Sequence, residues 1–341
     1  MSGGETNQSP AVLGSVPTGT DVNHAARCLR QGLLVAMPTE TVYGLAGAAL
    51  QPRAAAAIFE AKQRPHFDPL IVHVAELDQV SVIAETIPPA GRALAERFWP
   101  GPLTLILPRR SEVPDLITAG LPGVGVRIPA HPVARQLIRQ AGIPVAAPSA
   151  NPFGGISPTT AAHVIAGLGQ NVDYVLDGGS CTIGVESTII SVMGETPVLL
   201  RPGGLALEEI ENLIGRIEIA KPDPAEDDRA QIAPGMLSRH YAPRSRMSLI
   251  GPDEPAVPQP GLRTVLLTWG CMTEAPGFER ILSLGPADDL QICAARFFAA
   301  LRVLDSLAPD VIIARQFPER GLGRALNDRL RRGATTPETS G

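Results

Sequence analysis

The chain has 341 residues, 44% of them hydrophobic, 18% charged and only 4% aromatic, with a formal net charge of −5. That length accommodates two domains with a sizeable core, and the acidic balance argues against nucleic-acid binding through a diffuse basic surface. No apolar run approaches membrane-spanning length, and the N-terminus lacks a basic region followed by an apolar one. The four cysteines, Cys28, Cys181, Cys271 and Cys293, form no CxxC pair, which fits a reduced, cytoplasmic setting.

Residues 1–16 read as a flexible tail. From about Asp21, helix-like and strand-like segments alternate. "HAARCLRQG" predicts a helix closed by Gly32, and "LLVAMP" the strand after it. "RAAAAIFEAKQR" is an Ala-rich helix, "PLIVHVA" a strand, "AGRALAERFW" a helix and "LTLILP" a strand. "GVGVRIPA" and "IPVAAPSA" are two more strands, and "PTTAAHVIAGLG" a helix. "DYVLDGG", "STIISV" and "PVLLRPGG" complete a first domain over 17–205. Residues 206–245 hold the helix "LALEEIENLIG" and a Pro-rich, charged linker. The pattern restarts over 246–336, with "MSLIG", "RTVLLTWG" and "DVIIARQF" as strands and "DDLQICAARFFAALRVLDSL" and "GLGRALNDRLRRG" as helices; residues 337–341 are a second tail. The expected fold is α/β: a large twisted mixed sheet with flanking helices, plus a smaller C-terminal α/β domain.

Polar chemistry collects where apolar strands end. "LLVAM" runs into Pro38, Thr39, Glu40 and Thr41, either a solvated turn or the edge of a binding site. In "GVGVRIPA" the faces alternate, so Val124, Val126 and Ile128 share one and Arg127 takes the other. Arg201 closes "PVLLR". No carboxylate adjoins either arginine in sequence, and an unpaired guanidinium in an apolar setting is costly. Each is therefore held by a long-range salt bridge or kept as a bidentate fork for an anion. Lys62 and Arg64 follow a helix C-terminus, where cations are favourable in any case, in a loop stiffened by Pro65 and Pro69. His73 shares a face with Ile71 and by itself reads as a satisfied sheet residue.

In "PSANPFGGISPTT", Ser149 and Asn151 follow a strand, and Gly154 and Gly155 permit close backbone approach. Ser157 before Pro158 reads as a helix N-cap with Pro at the first helical position, and such a helix start also attracts anions. Glu186, Ser187 and Thr188 open a strand, with Glu186 a possible structural partner for one of the arginines. Cys181 reads as a buried thiol, and the arginines of "GRALNDRLRRG" as a solvated helix face. There is no Walker loop, no GxGxxG, no Ser-His-Asp spacing and no metal-ligand cluster. The residues alone describe a polar groove for a phosphorylated ligand without identifying it.

Seven motifs in order, "PTETVYGLAG", "KQRPHFDPLIVHV", "WPGPLTLIL", "VGVRIPAHP", "PVAAPSANPFGGISPT", "DGGSCTIGVESTII" and "LLRPGG", resemble the threonylcarbamoyl-AMP synthase family. "APGMLSRHYAP" and "GLGRALNDRLRRGA" resemble its long, two-domain form. The resemblance implies synthesis of L-threonylcarbamoyladenylate from L-threonine, bicarbonate and ATP with release of pyrophosphate. The product would pass to a downstream tRNA threonylcarbamoyl transferase. It further implies threonine binding by Thr41, His73, Arg127 and Ser187. ATP would be bound by Lys62, Arg64, Gly123, Ala147, Ser149, Asn151, Ser157, Arg201 and Tyr241, with Lys62, Arg64 and Arg201 catalytic. Asp68 falls at a position that would face phosphate although it is acidic. Mg²⁺ would be carried by the ATP phosphates, not by protein side chains. Direct tRNA binding is not indicated by the charge, and no membrane is involved. The linker would close over the site, so that deleting Ala233 to Arg244 would cripple synthesis and leave both domains folded. The readings from other classes are a non-catalytic RNA-binding module using the same groove and a carbamoyl-phosphate-using transferase.

Overall fold

The computed structural model describes residues 16–220, 229–270, 272 and 275–335. Two sheets organise them. The first contains β1 (Thr18–Gly19), β2 (Val35–Met37), β3 (Gly44–Ala48), β4 (Ile71–His73), β5 (Leu103–Pro108), β6 (Gly123–Arg127), β7 (Val145–Ala146), β8 (Tyr174–Leu176), β9 (Thr188–Ser191), β10 (Val198–Arg201) and β11 (Glu218–Ile219). Its strand order is β1-β8-β2-β3-β7-β4-β6-β5-β9-β10-β11, with parallel and antiparallel neighbours intermixed. The second is all parallel, in the order β12-β15-β13-β14, from β12 (Arg246–Ile250), β13 (Thr264–Thr268), β14 (Arg280–Ser283) and β15 (Val311–Arg315). The expected mixed α/β architecture with a smaller second α/β unit is what forms.

Seven helices accompany the first sheet among the described residues: α1 (Val22–Arg30), α2 (Pro52–Lys62), α3 (Pro89–Phe98), α4 (Asp115–Thr118), α5 (Pro132–Ala141), α6 (Ala161–Leu168) and α7 (Leu207–Ile214). Two accompany the second, α8 (Leu290–Ser306) and α9 (Leu322–Ala334). No helix is expected from the sequence at α5, although Pro132 stands in its first turn and Gly142 takes the left-handed conformation at its end, an ordinary start and stop. Nor is a strand expected at β3, whose "GLAGA" lacks β-branched side chains. That strand is completely buried, and burial on both faces removes the alternation that marks a strand. The first core has Tyr43, Leu45, Ile58, Val72, Leu105 and Val126 at its centre, and it includes Val16. Of the tail expected over residues 1–16, Val16 is instead part of the core, and 1–15 lie outside the described residues, as do the tail at 337–341 and 221–228 of the linker.

Candidate functional site

Strand pairing brings the site together. Parallel β4 and β6 place His73 opposite Arg127 in register, so both side chains leave the same sheet face at the strands' carboxyl ends, where open α/β sheets take ligands. Antiparallel β9 and β10 bring Ser187, just before β9, beside Arg201 at the end of β10. The turn after β2 supplies Thr41, and an isolated bridge between Gly44 and Ser149 sets the segment after β7 alongside. The result is a cavity of about 50 Å³ lined by Thr41, Arg64, His73, Arg127, Ser149, Ser187, Arg201 and Tyr241, among others.

The cations are held by two kinds of partner. Arg127 donates from Nη2 to Glu40 at 2.6 Å, from Nη1 to the Thr41 hydroxyl at 2.8 Å, and from Nε to the Gly101 carbonyl at 3.2 Å. The long-range salt bridge is thus its anchor, across 87 residues of sequence. Burial pushes the Glu40 carboxyl up, but Arg127 overcomes that and its pKa is lowered. Arg64 donates to the Asp68 and Pro69 carbonyls at 2.9 and 2.8 Å and lies 2.9 Å from the Asp68 carboxylate. Among the described residues Arg201 makes no salt bridge to a carboxylate; it donates to the Ser187 carbonyl at 2.9 Å and the Pro234 carbonyl at 2.9 Å. All three guanidiniums line one cavity, so two of them keep an acid behind while the group still faces inward.

Buried Asp68 has its pKa raised by desolvation, against the pull of Arg64, Lys62 and Arg201. His73 is driven down to about 3, first by burial and then by Arg127. Its Nδ1 lies 3.2 Å from the Ile71 carbonyl. A carbonyl can only accept, so Nδ1 carries the proton and Nε2 is left as an acceptor. The satisfied-sheet reading of His73 therefore holds for one ring nitrogen, and the ring still lines the cavity.

Other expected residues sit one layer back. Lys62 is buried with its ammonium on the Ser149 and Asn151 carbonyls; burial, then Arg64, brings its pKa well below the usual range. Asn151 donates to the Pro152 and Gly155 carbonyls at 2.7 and 3.0 Å and holds that loop. Ser157 caps no helix. The cap of α6 is Thr160, whose hydroxyl accepts from the His163 amide at 3.2 Å, while buried Ser157 donates to Glu186. The Ser-Pro pair is followed by two threonines, and the second of them is nearer the helical run. Gly123 opens β6 at the opposite end from Arg127, roughly 13 Å along the strand. A Cβ there would meet Ile106 at 2.6 Å. Ala147 lines the cavity.

The linker supplies a wall of the cavity that extends beyond the expected Tyr241. Pro234, Gly235 and His240 line the cavity as well. The segment is tied down by the Gln231 amide on the Phe67 carbonyl and the Ala242 amide on the Gly154 carbonyl, both 2.9 Å. Tyr241 takes φ +59, an uncommon value for a bulky residue. Ala233 packs with Ile71, Ile106, Ile189 and Leu200, whereas Tyr241 belongs to the second domain's core. Deleting Ala233 to Arg244 would consequently remove Ala233 from a small apolar cluster of the first domain and Tyr241 from the second domain's core, a cost in stability that the expectation of two intact domains left out. Glu186 is also a wall residue, and its arginine partner is Arg329 of α9. Arg329 and Arg332 are buried, so the solvated-face reading of "GRALNDRLRRG" is wrong for that side of the helix.

Comparison with known proteins decides what this arrangement belongs to. The profile described as "Telomere recombination" (Sua5, YciO and YrdC) matches residues 27–203, and that of "Threonylcarbamoyl-AMP synthase, C-terminal domain" matches residues 205–335. The chain belongs to the threonylcarbamoyl-AMP synthase family. The synthase of Pyrococcus abyssi is 43% identical, over 91% of this chain and 93% of that protein. The Bacillus subtilis synthase is 40% identical over 92% of each. The crystal structure of P. abyssi Sua5 complexed with L-threonine superposes with a TM-score of 0.85 at 41% identity, covering 94% of this chain and 97% of that one. As a threonylcarbamoyl-AMP synthase, the chain is a nucleotide-using enzyme of a tRNA-modification family, and the RNA-binding-module alternative is not favoured. No described helix is long and apolar enough to cross a membrane. Cys28, Cys181 and Cys293 are free and buried, with the Cys181 thiol pushed up to about 12 mainly by burial; Cys271 lies outside the described residues.

Proposed function

We propose that the residues around this cavity bind L-threonine and ATP side by side and join them through bicarbonate. The single observation that carries this is the convergence of Arg64, Arg127 and Arg201 with Thr41, Ser149 and Ser187 on one cavity. The threonine carboxylate would dock on Arg127, which Glu40 and Thr41 hold in a fixed orientation. Neutral His73 would accept from the amino group or hydroxyl through Nε2. The triphosphate would meet Arg64 and Arg201, with the Ser149 hydroxyl and Tyr241 beside them.

Carboxylated threonine must attack the α-phosphate, so two anions have to be brought together. Fixed guanidiniums reduce their repulsion and stabilise the charge of the displacement. Positioning supplies the remainder, and no covalent nucleophile is needed. Among the described residues no group of three acidic, histidine or cysteine side chains is placed to hold a metal ion. Glu40 and Glu186 face arginines, and Asp68 lies 2.9 Å from one. Mg²⁺ would accordingly enter as part of the MgATP substrate. Enclosure by the linker keeps water from the labile carbamate. The product would be handed to a tRNA threonylcarbamoyl transferase. The test is incubation with ATP, L-threonine and labelled bicarbonate. Labelled threonylcarbamoyl-AMP with equimolar pyrophosphate is expected, whereas pyrophosphate release that is indifferent to threonine would refute the assignment.

A further inference from the structure

The apolar core of the second domain is not made by that domain alone. Around Phe297, Phe298, Leu301, Leu326 and Leu330 it also buries Val42, Ile156 and Val185 of the first domain, and Tyr241 of the linker. Val42 follows Thr41, Ile156 precedes Ser157, and Val185 precedes Glu186 and Ser187. The loops that present polar groups to the cavity thus place their apolar neighbours in the other domain. Gly184 packs so closely on α8 that a Cβ would stand 2.4 Å from the Ala294 carbonyl.

Arg302 of α8 donates to the Ile156 carbonyl, and most of the remaining polar contacts of this interface come from α9. Arg329 donates from Nε to Glu186 at 2.9 Å and from Nη1 to the Pro202 carbonyl at 2.7 Å, and its guanidinium lies 4.9 Å from the centre of the Tyr241 ring. The other oxygen of Glu186 accepts from Ser157. Three residues on, Arg332 donates to the Met236 carbonyl at 2.6 Å and to that of Leu237, while its own carbonyl accepts from the His240 amide at 3.3 Å. Asp328 holds both arginines, at 2.7 and 2.9 Å. On the outer side of the helix, Arg324 and Arg331 pair with Glu208 and Glu319. One helix therefore grips two active-site loops and the linker wall at once.

We infer that α9 is the positioning element of the synthase. Through Arg332 it seats the 229–242 wall, and through Arg329 it sets the Glu186–Ser157 pair, so the second domain fixes the geometry of a cavity to which it contributes no lining residue. This rests on the synthase reading. Arg329 and Arg332 are positioning residues, since neither lines the cavity.

The experiment compares full-length Arg332→Met with Arg331→Met, an outward-facing control on the same helix. The first readout needs no substrate: the rate of trypsin cleavage after Arg239 within the wall. The second is the division of any kinetic loss between KM and kcat. Arg332→Met is expected to speed cleavage at Arg239 at least tenfold and to raise the KM for ATP about tenfold. A role confined to overall stability would lower the active fraction, and so the apparent kcat, at unchanged KM. Arg331→Met should match wild type in both. If Arg332→Met does not fold, Arg332→Gln, which retains an amide donor, is measured in the same way. Wild-type cleavage together with wild-type KM in a folded variant would overturn the inference. Absence of turnover in the wild-type protein would instead overturn the synthase reading and leave the cleavage test standing.

Discussion

Buried arginines in the two domains differ less in their bonds than in what stands opposite them. Arg315, at the end of β15, donates to the Gly251, Pro252 and Glu254 carbonyls and to the Thr268 hydroxyl. Arg201, at the end of β10, likewise donates to carbonyls of two separate loops. Both close an apolar strand and both are buried. Arg201 has the cavity before it; Arg315 does not border that cavity. A guanidinium satisfied by backbone is therefore a loop clamp in one place and a ligand-facing charge in the other. Burial and bonding do not separate the two uses; only the enclosed space does.

That comparison can be broken by substitution. The largest effect is expected from Arg127→Met, which leaves Glu40 buried without its partner at a cost of about 3–5 kcal/mol. Pairing it with Glu40→Gln should recover much of the stability and none of the threonine-dependent turnover, as read by chemical denaturation and pyrophosphate release. Arg201→Ala comes next, with a loss of roughly 10²–10³ in kcat/KM from removing a fixed cation. Its calorimetric signature would be weakened ATP binding by a folded protein. Arg315→Met should cost about 1–3 kcal/mol, because the buried guanidinium ties the 251–254 loop to the sheet through several hydrogen bonds. Turnover per folded molecule should be unchanged, and a catalytic loss equal to that of Arg201→Ala would erase the distinction between the two arginines.

The most gradual effect, spread over several pH units, concerns pH. His73 has its pKa lowered from 6.5 to about 3 in the folded chain. Above pH 6.5 the residue is neutral in both states and contributes no pH dependence. As pH falls below 6.5, only the unfolded chain takes up the proton, so stability declines by about 1.4 kcal/mol per pH unit until near pH 3. Denaturant titrations from pH 7 to 4 should show this slope and a shallower one for His73→Phe; equal slopes would place the titrating group elsewhere. His163, driven to about 4 chiefly by burial, adds to the decline in both proteins.

Legibility followed the range of the physics involved. Periodicity and turn chemistry are local, so strands such as "LTLILP" and "DVIIARQF", the last helices and the restart after the linker could be read directly from residue order. The motif series carried the family, since residues that must meet one ligand persist as short ordered strings. Partner choice was not local. Arg127 finds Glu40 across 87 positions and Arg329 finds Glu186 across 143, and charge alone does not indicate which carboxylate will be in reach. Ser157 had the sequence of a cap and became a donor to Glu186, because the helix began three residues later at Thr160.

By itself, the sequence determined that this chain would be α/β, acidic, in two parts, and supplied with cations and hydroxyls at strand ends. Only the tertiary structure decided which of those cations share a cavity. Register between β4 and β6, and between β9 and β10, is a long-range pairing that sets side chains from distant segments a few ångströms apart. It also decided that the second domain would hold the first domain's loops. Apolar residues beside the polar ones found their burial in its core, and a buried carboxylate in the wall required a partner that α9 could bring.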